Sequence, residues 1–237
     1  MAVLSVSSLR VGYGSDLVVQ AVDLDIRRGE IVCVLGRNGV GKTTMVNAIM
    51  GLLPSMSGSI HLGASDLTSV PPYRRSTAGL ALVPQGRRLF KELSVRQNLE
   101  VAARSPRKDG HGWTVTEVFD RFPSLARRAD IVAAALSGGE QQMLSLSRAM
   151  VTWPKVLLLD EPSEGLAPII IEQIAQLLGE LRRSGASILL IEQNVGFGLS
   201  VADRVYIMSK GAIVASGTSA ELEAEGTRLE RFLGVGH

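Results

Sequence analysis

The period of apolar and polar positions changes several times along the chain, and each change marks an element. Residues 21–26, AVDLDI, alternate with period two, as a strand with one wet face does. Residues 30–36, EIVCVLG, are apolar on both faces, which predicts a central strand. A Gly-rich turn follows. Val46, Ile49, Met50 and Leu53 then recur at helical spacing, predicting a helix over 43–50 with Gly51 as its cap. GLLPSMSGSIHLG predicts a turn and a short strand.

From about residue 94 to 152 the pattern is helical. Ser94 is placed to cap the helix VRQNLEVAAR, and Thr114 with Glu117 forms a capping box. The polar stretch 105–112, SPRKDGHG, predicts an exposed loop. An α/β rhythm then returns. KVLLLD and SILLIE predict buried strands, APIIIEQIAQLLGELRRSG between them predicts a helix closed by Gly185, and RVYIMSKGAIVASG predicts two short strands around Lys210-Gly211. Strands alternating with helices argue for an α/β fold with a largely parallel sheet. No internal repeat or low-complexity tract interrupts it.

Composition narrows the partners. The 237 residues suit one large domain, or a domain with a subdomain, and 46% hydrophobic residues suit a cored globular protein. A net charge of +2 is too weak to imply a nucleic-acid partner. The single cysteine, Cys33, excludes an internal disulfide, suits a reducing compartment and reads as a small core residue. The start, MAVLSVSSLRVGYG, has neither the charge nor the apolar middle of a signal peptide. No apolar run approaches the roughly 20 residues needed to span a bilayer. A soluble cytoplasmic chain that can still dock on a membrane protein is the expectation.

GRNGVGKTT, from Gly36 through Arg37, Asn38, Gly39, Val40, Gly41, Lys42 and Thr43 to Thr44, fits G-x-x-x-x-G-K-S/T between a buried strand and a helix. Glycines let successive N–H groups face phosphate oxygens, and the following helix adds its positive end. Lys42 can reach the β and γ phosphates, and the Thr43 hydroxyl can ligate Mg²⁺. VLLLDEP (156–162) ends a buried strand on two acids. Asp160 is placed to hold Mg²⁺, through water, and Glu161 to polarise an attacking water. LSGGEQQ (136–142) opens a further helix with a Ser137–Glu140 capping box. A capping box needs no internal glycines. Gly138 and Gly139 bare the helix N-terminus and so make it an anion site.

With the cradle, LSGGEQQ and LLLDEP in this order and spacing, the chain resembles the ATP-binding subunit of ABC transporters over essentially its whole length. The resemblance implies a P-loop NTPase with a mostly parallel central sheet, an N-terminal antiparallel β subdomain and a helical signature subdomain. The core would be 1–86 and 153–237, and the helical part 87–152. Two such subunits would pair head to tail. Each ATP would lie between one cradle and the partner's signature, with Ser137 and Gly139 on the γ-phosphate, and closure would drive transmembrane permease subunits. Tyr13 matches the aromatic that stacks on adenine. Gln85 matches the glutamine that senses Mg²⁺ and water. The surface near GRRLFKELS, including Arg87 and Arg88, would grip the permease, although both arginines equally fit solvated charges.

Two positions depart from the family pattern. Gln193 stands where a histidine reaches the γ-phosphate. It cannot change charge near neutral pH, but it can still donate to phosphate and accept from water. Ala167 stands where an aspartate is common. EGLAP and IEQN are similar to one branch, the importers of branched-chain amino acids and related amides, in which a similar second ATP-binding subunit and an extracytoplasmic solute-binding protein complete the system. Pairing with itself stays open, and so do a urea, amide or lipid cargo and a non-hydrolysing regulatory switch. A chromosome or DNA-repair ATPase is opposed by the short interval between Lys42 and Ser137, which has no sustained heptads.

Overall fold

The chain opens with a long hairpin, β1 (Ala2–Tyr13) and β2 (Asp16–Arg27). It continues through β3 (Ile31–Leu35), α1 (Lys42–Met50), β4 (Ser57–Leu62), β5 (Ser65–Asp66), α2 (Pro72–Ala78) and β6 (Leu80–Val83). A helical stretch follows, with α3 (Val95–Ala103), α4 (Val115–Arg121), α5 (Pro123–Arg127), a 3-10 turn (Ala133–Ala135) and α6 (Gly138–Met150). The last part alternates again, through β7 (Val156–Asp160), α7 (Pro168–Arg183), β8 (Ser187–Glu192), α8 (Val195–Val201), β9 (Arg204–Ser209), β10 (Ala212–Thr218) and α9 (Ser219–Ala224). The computed structural model describes residues 2–104 and 109–224.

The strands form two sheets, β2-β1-β4-β5 and β10-β9-β3-β8-β7-β6. The first is antiparallel throughout. In the second, β9, β3, β8, β7 and β6 run parallel and only β10 is antiparallel. The chain therefore has the mixed α/β architecture that its strand–helix alternation predicts.

Alternate residues of the central strands enter different cores. Ile31, Cys33 and Leu35 of β3, Leu157 and Leu159 of β7, and Ile188 and Leu190 of β8 face the helices, sharing a core with Leu144, Leu178 and Phe197. Their neighbours Val32, Val34, Leu158, Leu189 and Ile191 face the first sheet and α1, against Leu4, Leu24 and Met45. A strand covered on both sides has no polar phase, which explains the unbroken apolar runs. Each large apolar side chain so buried contributes about 1.5–3 kcal/mol. In β2, by contrast, Val22, Leu24 and Ile26 are buried while Asp23 stays exposed, the alternation read from AVDLDI.

Local signals hold closely. Gly51 caps α1 with φ 78°. Complete capping boxes open α3 at Ser94 and Gln97, α4 at Thr114 and Glu117, and α6 at Ser137 and Glu140. Lys210 and Gly211 both take positive φ, 47° and 83°, as a tight hairpin turn between β9 and β10 requires. Other elements, two helices among them, escaped the pattern. Helix α2 is too short and too polar to announce itself, and α8 carries Gly196 and Gly198. Of the expected exposed loop at 105–112, residues 105–108 lie outside the described residues, 109–112 do form a loop with Asp109 exposed, and the expected exposure is corrected for 110–112. His111 N–H donates to the Pro154 carbonyl at 2.9 Å, and a Cβ on Gly110 would stand 2.0 Å from the Trp153 carbonyl oxygen. Residues 110–112 are half-buried because they pack flat against the turn after α6.

Arg75 of α2 fixes the far end of α1. The residue is only 4% exposed, and burial lowers its proton affinity. Its guanidinium donates to the carbonyls of Ala48 (2.7 Å), Ile49 (2.8 Å), Val70 (2.7 Å) and Thr68 (3.0 Å). Two of these belong to the last turn of α1, where carbonyls run short of helical partners; that of Ala48 also accepts from the Gly51 N–H at 3.0 Å. Arg75→Met should remove a donor from all four, with Ala48 keeping the Gly51 N–H, and lower the free energy of unfolding by about 3 kcal/mol in urea denaturation. Arg75→Lys should recover only part, because an ammonium cannot span the same fork.

Candidate functional site: a phosphate cradle at the carboxyl edge of the central sheet

The loop from Gly36 to Gly41 leaves the end of β3 and turns into α1. A Cβ on Gly36 would lie 2.6 Å from the Met208 carbonyl oxygen and 2.9 Å from the Val40 side chain, so no other residue fits there. Gly36 N–H donates to the Glu192 carbonyl at 3.2 Å, and the Val40 carbonyl accepts from Gly211 N–H at 3.0 Å. Gly41 holds the N-cap position of α1 with φ 106° and offers no side-chain cap. The first-turn N–H groups of α1 are left for an anion, at the positive end of the helix.

A cleft of about 250 Å³ opens over this loop, lined by Val18, Asn38, Gly39, Gly41, Lys42, Thr43, Thr44, Gln85 and Glu161. Lys42 is nearly sealed from solvent. Its Nζ donates to the carbonyls of Gly36 (2.7 Å) and Arg37 (3.0 Å) and lies 3.0 Å from Glu161 Oε1. Glu161 takes a left-handed backbone, φ 49°, at the turn off β7, and its N–H donates to the Ile191 carbonyl. Such a conformation costs a non-glycine residue on the order of 1 kcal/mol and persists only where its surroundings fix it.

Thr43 Oγ1 donates to Asp160 Oδ1 at 3.2 Å. Burial pushes the Asp160 carboxyl up to about 6, and the Glu161 charge adds to this, against the Thr43 hydrogen bond and the Lys42 charge. Gln85 Nε2 donates to Glu164 Oε2 at 2.9 Å and to Glu161 Oε2 at 3.4 Å. Among the described residues no three His, Cys, Asp or Glu side chains gather into a metal cage. One hydroxyl, one carboxylate and an amide oxygen beside an anion site form a hard-oxygen donor set, which fits Mg²⁺ held jointly with phosphate oxygens.

The fold thus brings together Lys42, Thr43, Asp160, Glu161 and Gln85. Gln193 lies in an adjoining cleft of about 300 Å³, exposed, with Glu161, Ser163, Glu164, Gly165, Glu192 and Asn194. Glu161 lines both clefts. Tyr13 and the 137–139 segment line neither. Tyr13 is 56% exposed, opposite Asp16 at the tip of the β1–β2 hairpin, whose Val18 does reach the cradle. Ser137 and Gly138 are exposed at the start of α6. Gly139 has a use the sequence did not suggest: a Cβ there would stand 2.9 Å from Ile170 Cδ1, so α7 packs directly on it. Ala167 is the N-cap of α7 and provides no side-chain cap, leaving Pro168 to open that helix.

Sequence reasoning passed over Glu192 and Asn194. Asn194 caps α8, accepting from Phe197 N–H at 3.0 Å. Glu192 is 2% exposed and accepts from three backbone N–H groups, those of Ser163, Gln193 and Asn194. A carboxylate ending a wholly buried strand is the signal that could have singled it out.

The raised affinity of Asp160 for its proton has a thermodynamic consequence. The folded chain binds that proton more tightly than the unfolded chain, whose carboxyl titrates near 3.8. Holding the ionised carboxylate in place therefore costs stability above pH 6, and the cost disappears as pH falls through 6 toward 4. Without nucleotide or magnesium, Asp160→Asn should unfold about 2 kcal/mol harder than the parent at pH 8. The gap should close by pH 4 in thermal or urea melts run at both pH values.

Comparison with known proteins agrees with this geometry. The family model described as ABC transporter matches residues 19–164. The high-affinity branched-chain amino acid transport ATP-binding protein BraG of Pseudomonas aeruginosa is 39% identical over 231 residues, covering 98% of this chain and 99% of that protein. The lipopolysaccharide export system ATP-binding protein LptB of Escherichia coli is 34% identical over 229 residues, covering 94% and 93%. A crystal structure of a nucleotide-free ATP-binding cassette from an ABC transporter superposes with a TM-score of 0.85 at 25% identity, covering 98% and 97%. A cradle, a magnesium-type donor pair and a buried glutamate, set in this fold and matched by these relatives along nearly the full length, place the chain in the ABC transporter family as one of its ATP-hydrolysing subunits.

Proposed function

We propose that the chain hydrolyses Mg²⁺-ATP at composite sites shared with a second ATP-binding subunit, and that this powers import of branched-chain amino acids through transmembrane permease subunits. The observation that carries the reading is the meeting of Lys42, Glu161 and the Thr43–Asp160 pair at the open N-terminus of α1. On this reading Lys42 exchanges its carbonyl and Glu161 contacts for the β and γ phosphates, and Glu161 is then free to take a proton from the attacking water. Thr43, Asp160 and Gln85 would hold the metal, which supplies positive charge where phosphate charge develops. Gln193 would reach the γ-phosphate from the neighbouring cleft.

The signature lies outside the cradle, so Ser137, Gly138 and Gly139 are assigned to the partner's nucleotide and Tyr13 to adenine. The working division keeps 1–86 and 153–237 as the nucleotide-binding core and 87–152 as the helical part. Among the described residues no helix is long and apolar enough to cross a membrane. On this reading the chain would sit peripherally at the cytoplasmic face, held by permeases. The permease would seat in the cleft of about 300 Å³ lined by Leu52, Pro84, Arg87, Arg88 and Arg148, beside Phe90, which is 48% exposed. An extracytoplasmic solute-binding protein would deliver the amino acid. The 34% identity to a lipopolysaccharide export ATPase supports a second reading, export of a lipid cargo.

Lys42→Ala should remove measurable ATP turnover, and Glu161→Gln should slow it at least 100-fold while ATP still binds. The parent's specific activity should climb with protein concentration if two copies share the site, or on adding a sister subunit if they do not. Turnover by Glu161→Gln at the parent rate would overturn the assignment of the base. Uptake of labelled leucine by vesicles carrying the chain with its permeases separates import from export.

A further inference from the structure

Glu192 is one of the most deeply buried carboxylates of the described residues, and the mechanism above gives it no part. Its Oε1 accepts from Ser163 N–H at 3.1 Å, and its Oε2 accepts from Gln193 N–H at 3.1 Å and Asn194 N–H at 3.2 Å. No cation is paired with it among the described residues' ion pairs. One side chain thus binds the loop two residues past Glu161 to the end of the strand that carries Gln193. The backbone runs in the same sense. Glu161 N–H donates to the Ile191 carbonyl, and the Glu192 carbonyl accepts from Gly36 N–H of the cradle.

A buried carboxylate facing three N–H donors is a directional device. Its charge strengthens each bond, and each donor fixes one direction of the carboxylate. A glutamine of the same shape must turn one N–H toward another N–H, losing at least one bond and adding a repulsion. The effect would fall on orientation at the catalytic edge, since Ser163 and Gln193 both line the cleft that Glu161 shares. A loss of alignment near the reacting atoms slows chemistry far more than it weakens binding.

We propose that Glu192 is a positioning residue for hydrolysis, holding the Ser163 loop and the Gln193 tip as one rigid unit around Glu161. The inference rests on the reading that Glu161 and Gln193 serve ATP hydrolysis. The first test compares Glu192→Gln, Glu192→Asp and Gln193→Ala with the parent for kcat, KM for ATP and melting temperature. Glu192→Gln should lose at least tenfold in kcat with KM for ATP changed less than threefold and the melting temperature preserved. Glu192→Asp, which keeps the charge on a shorter stem, should recover part of kcat. A parent-like kcat in Glu192→Gln overturns the proposal, as does a loss shared equally by KM and melting temperature. If Glu192→Gln is slow while Gln193→Ala is parent-like, the positioning role stands and the Gln193 assignment fails. The reverse pair of results sinks the positioning role and keeps Gln193. A second measurement needs no variant to fold: amide hydrogen exchange in the parent. The Gln193 and Asn194 amides belong to exposed residues yet should exchange at least tenfold more slowly than expected for free amides, together with Ser163. Fast exchange at all three would also overturn the proposal.

Discussion

The parallel pairing of β3, β8 and β7 sets the position of the cradle, the Asp160-Glu161 pair and Glu192. Their register places Leu35 beside Glu192 and Asp160 beside Ile191, so the three strands end together. Both faces of each strand are buried, and a polar side chain can emerge only where the sheet stops. The cradle, the Asp160-Glu161 pair and the Glu192-Gln193 pair are therefore forced to one edge. Hydrogen bonds from Gly36 N–H to the Glu192 carbonyl and from Glu161 N–H to the Ile191 carbonyl carry the sheet's ladder one step past the strands. Ligands of open α/β sheets gather at this edge for the same reason.

Charge at that edge is balanced locally. Three carboxylates, Asp160, Glu161 and Glu192, are nearly buried, against one buried ammonium, Lys42. Each meets the shortage differently. Glu161 takes the lysine directly, at 3.0 Å. Glu192 relies on backbone N–H groups, and burial still raises its affinity for a proton. Asp160 has the Thr43 hydroxyl, which compensates least, and its carboxyl is pushed up to about 6. The carboxylate with the poorest protein partners is the one best placed to gain from a divalent cation. Stability given up there is recoverable on binding.

What the sequence disclosed was mostly local. The cradle, two capping boxes, the Ser94 and Gly51 caps and the Lys210-Gly211 turn each depend on a few adjacent residues, and a pattern of a few residues is complete in one dimension. The buried strands were legible because cover on both faces removes the polar phase. Less accessible were contacts between distant segments. Nothing near Arg75 announces that its guanidinium will close the end of α1, and nothing near Gly139 announces Ile170. The run Gly86, Arg87 and Arg88 takes positive φ three times in succession, 75°, 66° and 41°. Two of those residues are arginines, which carry no sign of it. Their conformation is held from outside: Ser145 Oγ donates to the Arg87 carbonyl and Arg148 to that of Arg88.

The same contacts bear on how two half-sites on one chain can communicate. Gln85, on the loop after β6, touches Glu161 and Glu164 through its amide. Two residues later Arg87 reaches Gln141 of α6 at 3.4 Å, beside Gly138, at the start of the helix that would face another subunit's nucleotide. Gly139, in turn, lies under Ile170 at the beginning of α7, three residues after Ala167. The start of α6 is thus braced by the loop carrying Gln85 and by the helix entered from the loop after Glu161. The cradle loops and the signature are thereby joined through packed side chains and hydrogen bonds. Coupling of this kind needs elements with two discrete arrangements, and the 86–88 turn, with positive φ at two successive arginines, holds a conformation that those residues disfavour on their own. That turn lies on the stretch of chain between the Gln85 contacts and the Arg87–Gln141 contact, so it joins the two ends of this path.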